Sequence, residues 1–262
     1  MAVATLSVGG CDYPVAALLF DKDGTLFDFA TLWGGWADRL LEEVGGGVGS
    51  PGVSPQLGQW IGWDGASRHY DPVGPLAIGS MSDVLTAVAT GLYQHGVPWH
   101  RAKEIVVSAR RHVDASVDWA GALRLTSGVA ELLDQAGRAG LAVGVVTADD
   151  TATAQEHLRL AGLADAVTAV VGDDMVAAGK PDPEAILALC RALGVQPGQA
   201  ALFGDTAGDV RCGRRAGVGV VVGVAATPEL AVPLSGADHV VADFRAVRVS
   251  GAPDPRDRGP AN

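Results

Sequence analysis

Short apolar runs that each stop at an acidic or hydroxyl-bearing cluster set the tightest limit on how this chain folds. Residues 15–20 read Val-Ala-Ala-Leu-Leu-Phe and end abruptly in Asp21-Lys22-Asp23-Gly24-Thr25. The same grammar returns at 141–146, which ends in Thr147-Ala148-Asp149-Asp150, at 167–171, followed by Gly172-Asp173-Asp174, and at 200–203, ending in Gly204-Asp205. A fifth run covers 218–222. Runs this short and this uniformly apolar fit strands buried on both faces. Between them lie segments of helical spacing. One runs from Ser127, as a cap, to a stop at Gly140; others run from Thr151 to about Gly162, from Asp182-Pro183-Glu184 to Gly194, and from Thr206 to Gly217. Strands alternating with helices of this length imply βαβ units, an α/β fold and a parallel sheet. Ligands of such sheets bind at the carboxyl ends of the strands, where these polar clusters fall.

The rhythm breaks between residues 29 and 124. All six tryptophans lie there (Trp33, Trp36, Trp60, Trp63, Trp99 and Trp119), and the periodic segments 32–44, 82–95 and 100–117 are helical in pattern. No strand-like run separates them, and the Gly-rich piece 45–54 reads as a flexible loop. The expected organisation is an α/β core from 1–28 and 125–250, interrupted by a helical module at 29–124. A disordered tail is expected at 251–262, where Pro, Arg and Asp interleave.

Composition narrows the partners. The chain has 262 residues and a formal net charge of −11, which opposes binding to a nucleic-acid backbone. Its three cysteines, Cys11, Cys190 and Cys212, have no metal-like spacing and suit a reducing compartment. The N-terminus shows no signal-peptide pattern and no apolar stretch is long enough to span a membrane, so a cytoplasmic location is expected. Only three lysines occur, Lys22, Lys103 and Lys180, so each is worth locating.

Asp21 and Asp23, two residues apart just past a strand, can face one pocket. Gly24 permits the turn, and the backbone N–H groups after it can hold an anion. In this setting Asp21-Lys-Asp-Gly-Thr-Leu26 resembles the first motif of the haloacid dehalogenase-like hydrolase superfamily. Thr147 at its strand end is similar to the second motif. Gly179-Lys180-Pro181-Asp182-Pro183 is similar to the third, and Gly204-Asp205-Thr-Ala-Gly-Asp209 to the fourth. The likeness extends over about residues 15–225, insertion included, and favours phosphoglycolate phosphatase-like members with a helical cap.

That resemblance implies a Rossmann-like parallel-sheet core with an inserted α-helical cap, and a Mg²⁺-dependent phosphatase acting on a small phosphorylated metabolite. Asp21 would be the nucleophile, Asp23 the general acid and then the base, Thr147 a hydrogen-bond donor to a phosphoryl oxygen, and Lys180 a fixed positive charge. Mg²⁺ would be held by Asp21, Asp205 and the backbone carbonyl of Asp23, with Asp209 acting through a water or by orienting Lys180. Gly24, Thr25, Thr147, Ala148, Lys180 and Arg68 are the expected substrate contacts, with Trp33, Trp36 and His69 as further cap candidates. Asp173 and Asp174 read as solvated loop acids. Lys22 is expected to point away from the pocket and is given no catalytic role. The same motifs admit a phosphomutase, and the fold also admits a non-catalytic binding protein. A dehalogenase would lack Asp23 and the metal, and a phosphonate hydrolase would hang on Lys103. A monomer or homodimer is expected.

Overall fold

In a computed structural model of the protein, residues 2–49 and 51–251 are described. The expected tail lies outside these residues, apart from Gly251. The chain divides into two compact units: Met1–Phe27 joined with Leu125–Asn262, and Asp28–Arg124. In chain order the strands are β1 (Ala4–Val8), β2 (Cys11–Val15), β3 (Ala17–Asp21), β4 (Trp63–Asp64), β5 (His69–Tyr70), β6 (Ala142–Val146), β7 (Ala169–Val171), β8 (Ala200–Gly204), β9 (Val220–Val224), β10 (His239–Val241) and β11 (Arg248–Ser250). The α-helices are α1 (Gly35–Gly47), α2 (Ser54–Ile61), α3 (Pro75–Ile78), α4 (Met81–Gln94), α5 (Trp99–Ser116), α6 (Trp119–Ala122), α7 (Val129–Arg138), α8 (Thr151–Leu160), α9 (Glu184–Leu193), α10 (Ala207–Ala216) and α11 (Pro228–Ala231).

A six-stranded sheet in the order β10-β9-β8-β3-β6-β7 organises the first unit, and every neighbouring pair is parallel. The chain runs outward from β3 through β6 to β7. It then returns to the far side of β3 as β8 and continues outward again. The order therefore reverses between β3 and β8, the place where sheets of this kind open a crevice at their carboxyl ends. β3 is buried at every residue, as its central position requires. Alternate side chains feed two cores. Leu19 and Leu202 join Val146, Ile186, Leu189, Val221 and Leu234 in one cluster. Phe20 and Phe203 stack at 5.0 Å between ring centroids and meet Phe244.

The second unit is built mainly from α1, α2, α4 and α5. Trp36 and Trp63 are buried in it, and their indole N–H groups donate to Asp114 (2.8 Å) and Asp38 (2.7 Å). Trp33 packs edge-on to Trp36 and is buried too. Trp60 and Trp99 remain exposed.

Several local expectations give way. Residues 45–47 finish α1 rather than opening a flexible loop, and α2 begins at Ser54. The insertion does contain strands, because β4 and β5 pair antiparallel as a short ribbon. The run 15–20 splits. Its first residue ends β2, which with β1 and β11 forms a separate three-stranded antiparallel sheet. Ser127 does not cap α7. That place belongs to Gly128 at φ 85°, where a Cβ would press into the Phe244–Arg245 backbone at 2.7 Å.

Candidate active site

Asp21 is the last residue of β3, in register with Val146 of β6, and is only 6% exposed. Beyond it the backbone leaves the strand and folds back. The N–H groups of Leu26 and Phe27 both donate to the Lys22 carbonyl, and the Gly24 N–H donates to the Phe27 carbonyl at 2.8 Å. Gly24 sits at φ 89°, and any Cβ there would collide with the Asp205 carboxylate. Glycine is thus required twice, by conformation and by the close approach of the β8 end. Thr25 is fully buried and its hydroxyl faces Asp205 Oδ1 at 3.4 Å.

Asp205 follows β8 directly. Four residues on, Asp209 occupies the first turn of α10, where Thr206 and Asp209 form a reciprocal cap. Asp209 Oδ2 accepts from the Thr206 backbone N–H (3.0 Å) and hydroxyl (2.5 Å). Its Oδ1 is left for Lys180 Nζ at 2.7 Å. Lys180 also pairs with Asp21 Oδ1 and donates to the Val146 carbonyl at 3.3 Å.

The electrostatics follow from crowding. Burial, reinforced by Asp209 and Asp23 and opposed by Lys180, lifts the Asp21 carboxyl to about 7. Burial, then Asp21 and Asp209, pushes Asp205 well above the usual carboxylate range. Burial works against the Lys180 ammonium, but Asp209 and Asp21 outweigh it and hold its pKa above the ordinary lysine value. Asp21, Asp205 and Asp209 each offer an oxygen within 4.8 Å of the others. One ammonium does not balance three carboxylates. The all-oxygen donor set and the surplus of buried negative charge suit a hard divalent cation such as Mg²⁺.

Thr147 comes one residue after β6 and is buried. Its hydroxyl accepts the Asp149 N–H at 3.1 Å, which leaves its own proton to donate. Ala148 beside it is exposed. Asp174 caps the start of α8 through the Thr151 backbone and hydroxyl, both at 2.7 Å. Arg68 lies in the helical unit. There its guanidinium donates to the Ala30 carbonyl (2.9 Å), approaches Asp38 (3.7 Å) and covers the Trp63 ring. His69 is exposed.

Sequence reasoning passed over a second cluster. Lys22 is fully buried, and its Nζ contacts Asp23 Oδ1 (2.6 Å), Asp149 Oδ2 (2.9 Å) and His157 Nδ1 (3.2 Å). It does not share the Asp21–Lys180 contacts, but it turns to Asp23. Burial, then Lys22, depresses the His157 pKa to about 4, so the ring is neutral and accepts from the ammonium. The usable signal was the helical period. Ala154, His157 and Leu158 form the buried face of α8, which places His157 inward.

The class of protein is thus an α/β fold that gathers carboxylates at the switch point of a parallel sheet, one of them paired with a largely buried lysine. The family model for haloacid dehalogenase-like hydrolases matches residues 15–217, and the chain belongs to that family. Among its relatives, a pyrophosphatase PpaX from Bacillus velezensis is 37% identical over 86% of this chain and 89% of its own. A plasmid-borne phosphoglycolate phosphatase from Cupriavidus necator is 32% identical over 79% of this chain and 80% of its own. A solved haloacid dehalogenase-superfamily hydrolase, subfamily IA, variant 1, from Geobacter sulfurreducens shares the fold. It superposes with a TM-score of 0.60 at 21% identity, covering 88% of this chain and 93% of its own. The protein is thus an enzyme of the hydrolase class, with named phosphatases among its relatives.

Proposed function

We propose that the protein is a Mg²⁺-dependent phosphatase that hydrolyses a small phosphomonoester through an aspartyl-phosphate. The observation that carries this reading is the grip of Lys180 on one oxygen of Asp21, which leaves the other oxygen to attack. Asp21 Oδ2 would form a bond to phosphorus while the ester P–O bond breaks, and the leaving oxygen would take a proton from Asp23. Asp23 would then accept a proton from water as the water oxygen attacks phosphorus. The bond to Asp21 breaks and inorganic phosphate leaves. Lys180 supplies fixed positive charge beside the reacting carboxylate, and Thr147 has a hydroxyl proton to give a phosphoryl oxygen. Ala148 stands beside Thr147 on the same loop, whereas the Gly24 N–H is already given to the Phe27 carbonyl and the buried Thr25 hydroxyl faces Asp205. Asp21, Asp205 and the Asp23 carbonyl would hold the Mg²⁺, with Asp209 acting through Lys180. When bound, the ion supplies the missing positive charge, which favours ionised Asp21 and an anionic substrate. Arg68, engaged within its own unit, carries no step.

The reading extends to phosphorylated metabolites as substrates and to the cytoplasm as location. No helix among the described residues is long and apolar enough to cross a membrane. The test is hydrolysis of para-nitrophenyl phosphate with Mg²⁺, with chelator, and by Asp21→Asn. Turnover should need the metal and fall by about 10³-fold or more in the variant, as loss of a nucleophile requires. Persistence of activity in either arm sinks the mechanism. A phosphomutase would instead return the phosphoryl group to a sugar phosphate, with little free phosphate released.

A further inference from the structure

A buried lysine needs a reason. Desolvation penalises its charge, and an apolar side chain of the same volume fills such a place as well or better. Lys22 has no exposed surface at all. Its ammonium hydrogen-bonds Asp23 Oδ1 at 2.6 Å and His157 Nδ1 at 3.2 Å and forms an ion pair with Asp149 Oδ2 at 2.9 Å. They come from the turn after β3, the loop after β6 and the buried face of α8. Asp23, by contrast, is reachable, with 17% of its side chain exposed, and Asp149 is similar at 19%. Two carboxylates lie within ion-pair distance of the Lys22 ammonium, which compensates its charge in a place closed to water.

We infer that Lys22 is a positioning residue that pins one carboxylate oxygen of Asp23, so that the other is presented for proton transfer to and from the phosphoryl-transfer site. Asp149 and His157 complete the device. The ammonium lies between two carboxylates, Asp23 and Asp149. Shared with Asp149, it fixes the orientation while dividing the charge. His157 accepts an N–H as a neutral ring, so it helps lock the ammonium without adding charge. Asp23 stands on a short turn rather than in the sheet, and an acid whose rotamer is not locked delivers its proton poorly.

The inference rests on the phosphatase reading and is tested so that the two fail differently. The probes are phenyl, para-nitrophenyl and dinitrophenyl phosphate, a series in which the leaving oxygen needs a proton progressively less. The variants are Lys22→Met, which keeps the length and removes the charge, and Lys22→Met with Asp149→Asn, which also relieves the uncompensated acid. Folding of both is checked by circular dichroism and thermal melting. In kcat/KM, phenyl phosphate should lose about 100-fold, the low end of what a placed general acid contributes, and dinitrophenyl phosphate about 3-fold or less. A merely structural lysine would lower the whole series in parallel. A parallel loss, no loss, or failure of both variants to fold overturns the inference. Inactivity of the wild type toward all three probes instead overturns the phosphatase reading.

Discussion

The carboxyl ends of β3, β6 and β8 and the interior of the helical unit both bury polar side chains, and they do so by opposite means. In the helical unit the buried indole N–H groups of Trp36 and Trp63 meet carboxylates at the margin, Asp114 and Asp38. The acids there stay partly exposed, at 37% and 42%, so water shares the charge. At the strand ends the acids themselves go inside. Asp21 and Asp209 are nearly inaccessible; Lys22 is fully buried and Lys180 largely so, with 13% of its side chain exposed. The first arrangement adds packing and one hydrogen bond at a time. The second leaves charge that the chain does not neutralise, which costs stability and prepares the place for an anion and a cation.

The contrast can be broken at graded strengths. Lys180→Met should lower kcat/KM on para-nitrophenyl phosphate by about 10²–10³-fold, the usual loss when a fixed transition-state charge is removed. A fall of only a few-fold would place Lys180 among ordinary structural charges. Next comes the metal. In the metal-free fold the Asp21 carboxyl sits at about 7 against an unfolded value near 3.8, so the native state binds more protons between those values. Stability of the metal-free protein should fall as pH rises through that window, and a bound cation should return it. The rise in melting temperature on adding Mg²⁺ should therefore be larger at about pH 8 than at about pH 5. An equal or reversed increment by calorimetry would separate the acidic cluster from the metal. The smallest effect belongs to the helical unit. Trp63→Phe removes one indole donor from a half-wet acid and some packing volume. It should cost about 1–2 kcal/mol of stability by urea melts. A loss well above that would mean Trp63 is held by more than one bond.

Much of the strand-end region was readable because its constraints are local. The alternation of apolar runs and helical segments located β3, β6, β8 and β9, and the polar residues at their ends were on the page as letters. Thr206 at the head of α10 was readable by the same logic, since a capping box is written in four residues. What escaped depends on the backbone leaving regular geometry. Lys22 was placed by strict alternation, yet the strand ends at Asp21, and past a strand end neighbouring side chains no longer point apart. The pairing of Lys22 with Asp149 and His157 joins positions more than a hundred residues apart, which no local pattern encodes. The same holds for the β4–β5 ribbon, whose strands are too short for any period to register. Gly45–Gly47 stay helical because the rest of α1 is packed, and glycine's cost in a helix is small beside that.

The cap at the start of α10 carries one more consequence. Asp209 holds Lys180 with one oxygen while its other closes the first turn of that helix. The grip on Asp21 is therefore supported from two sides, by the Val146 carbonyl at the end of β6 and by the first turn of α10. Fraying of that turn would loosen one of the two supports, and amide exchange there would report how firmly Lys180 is held.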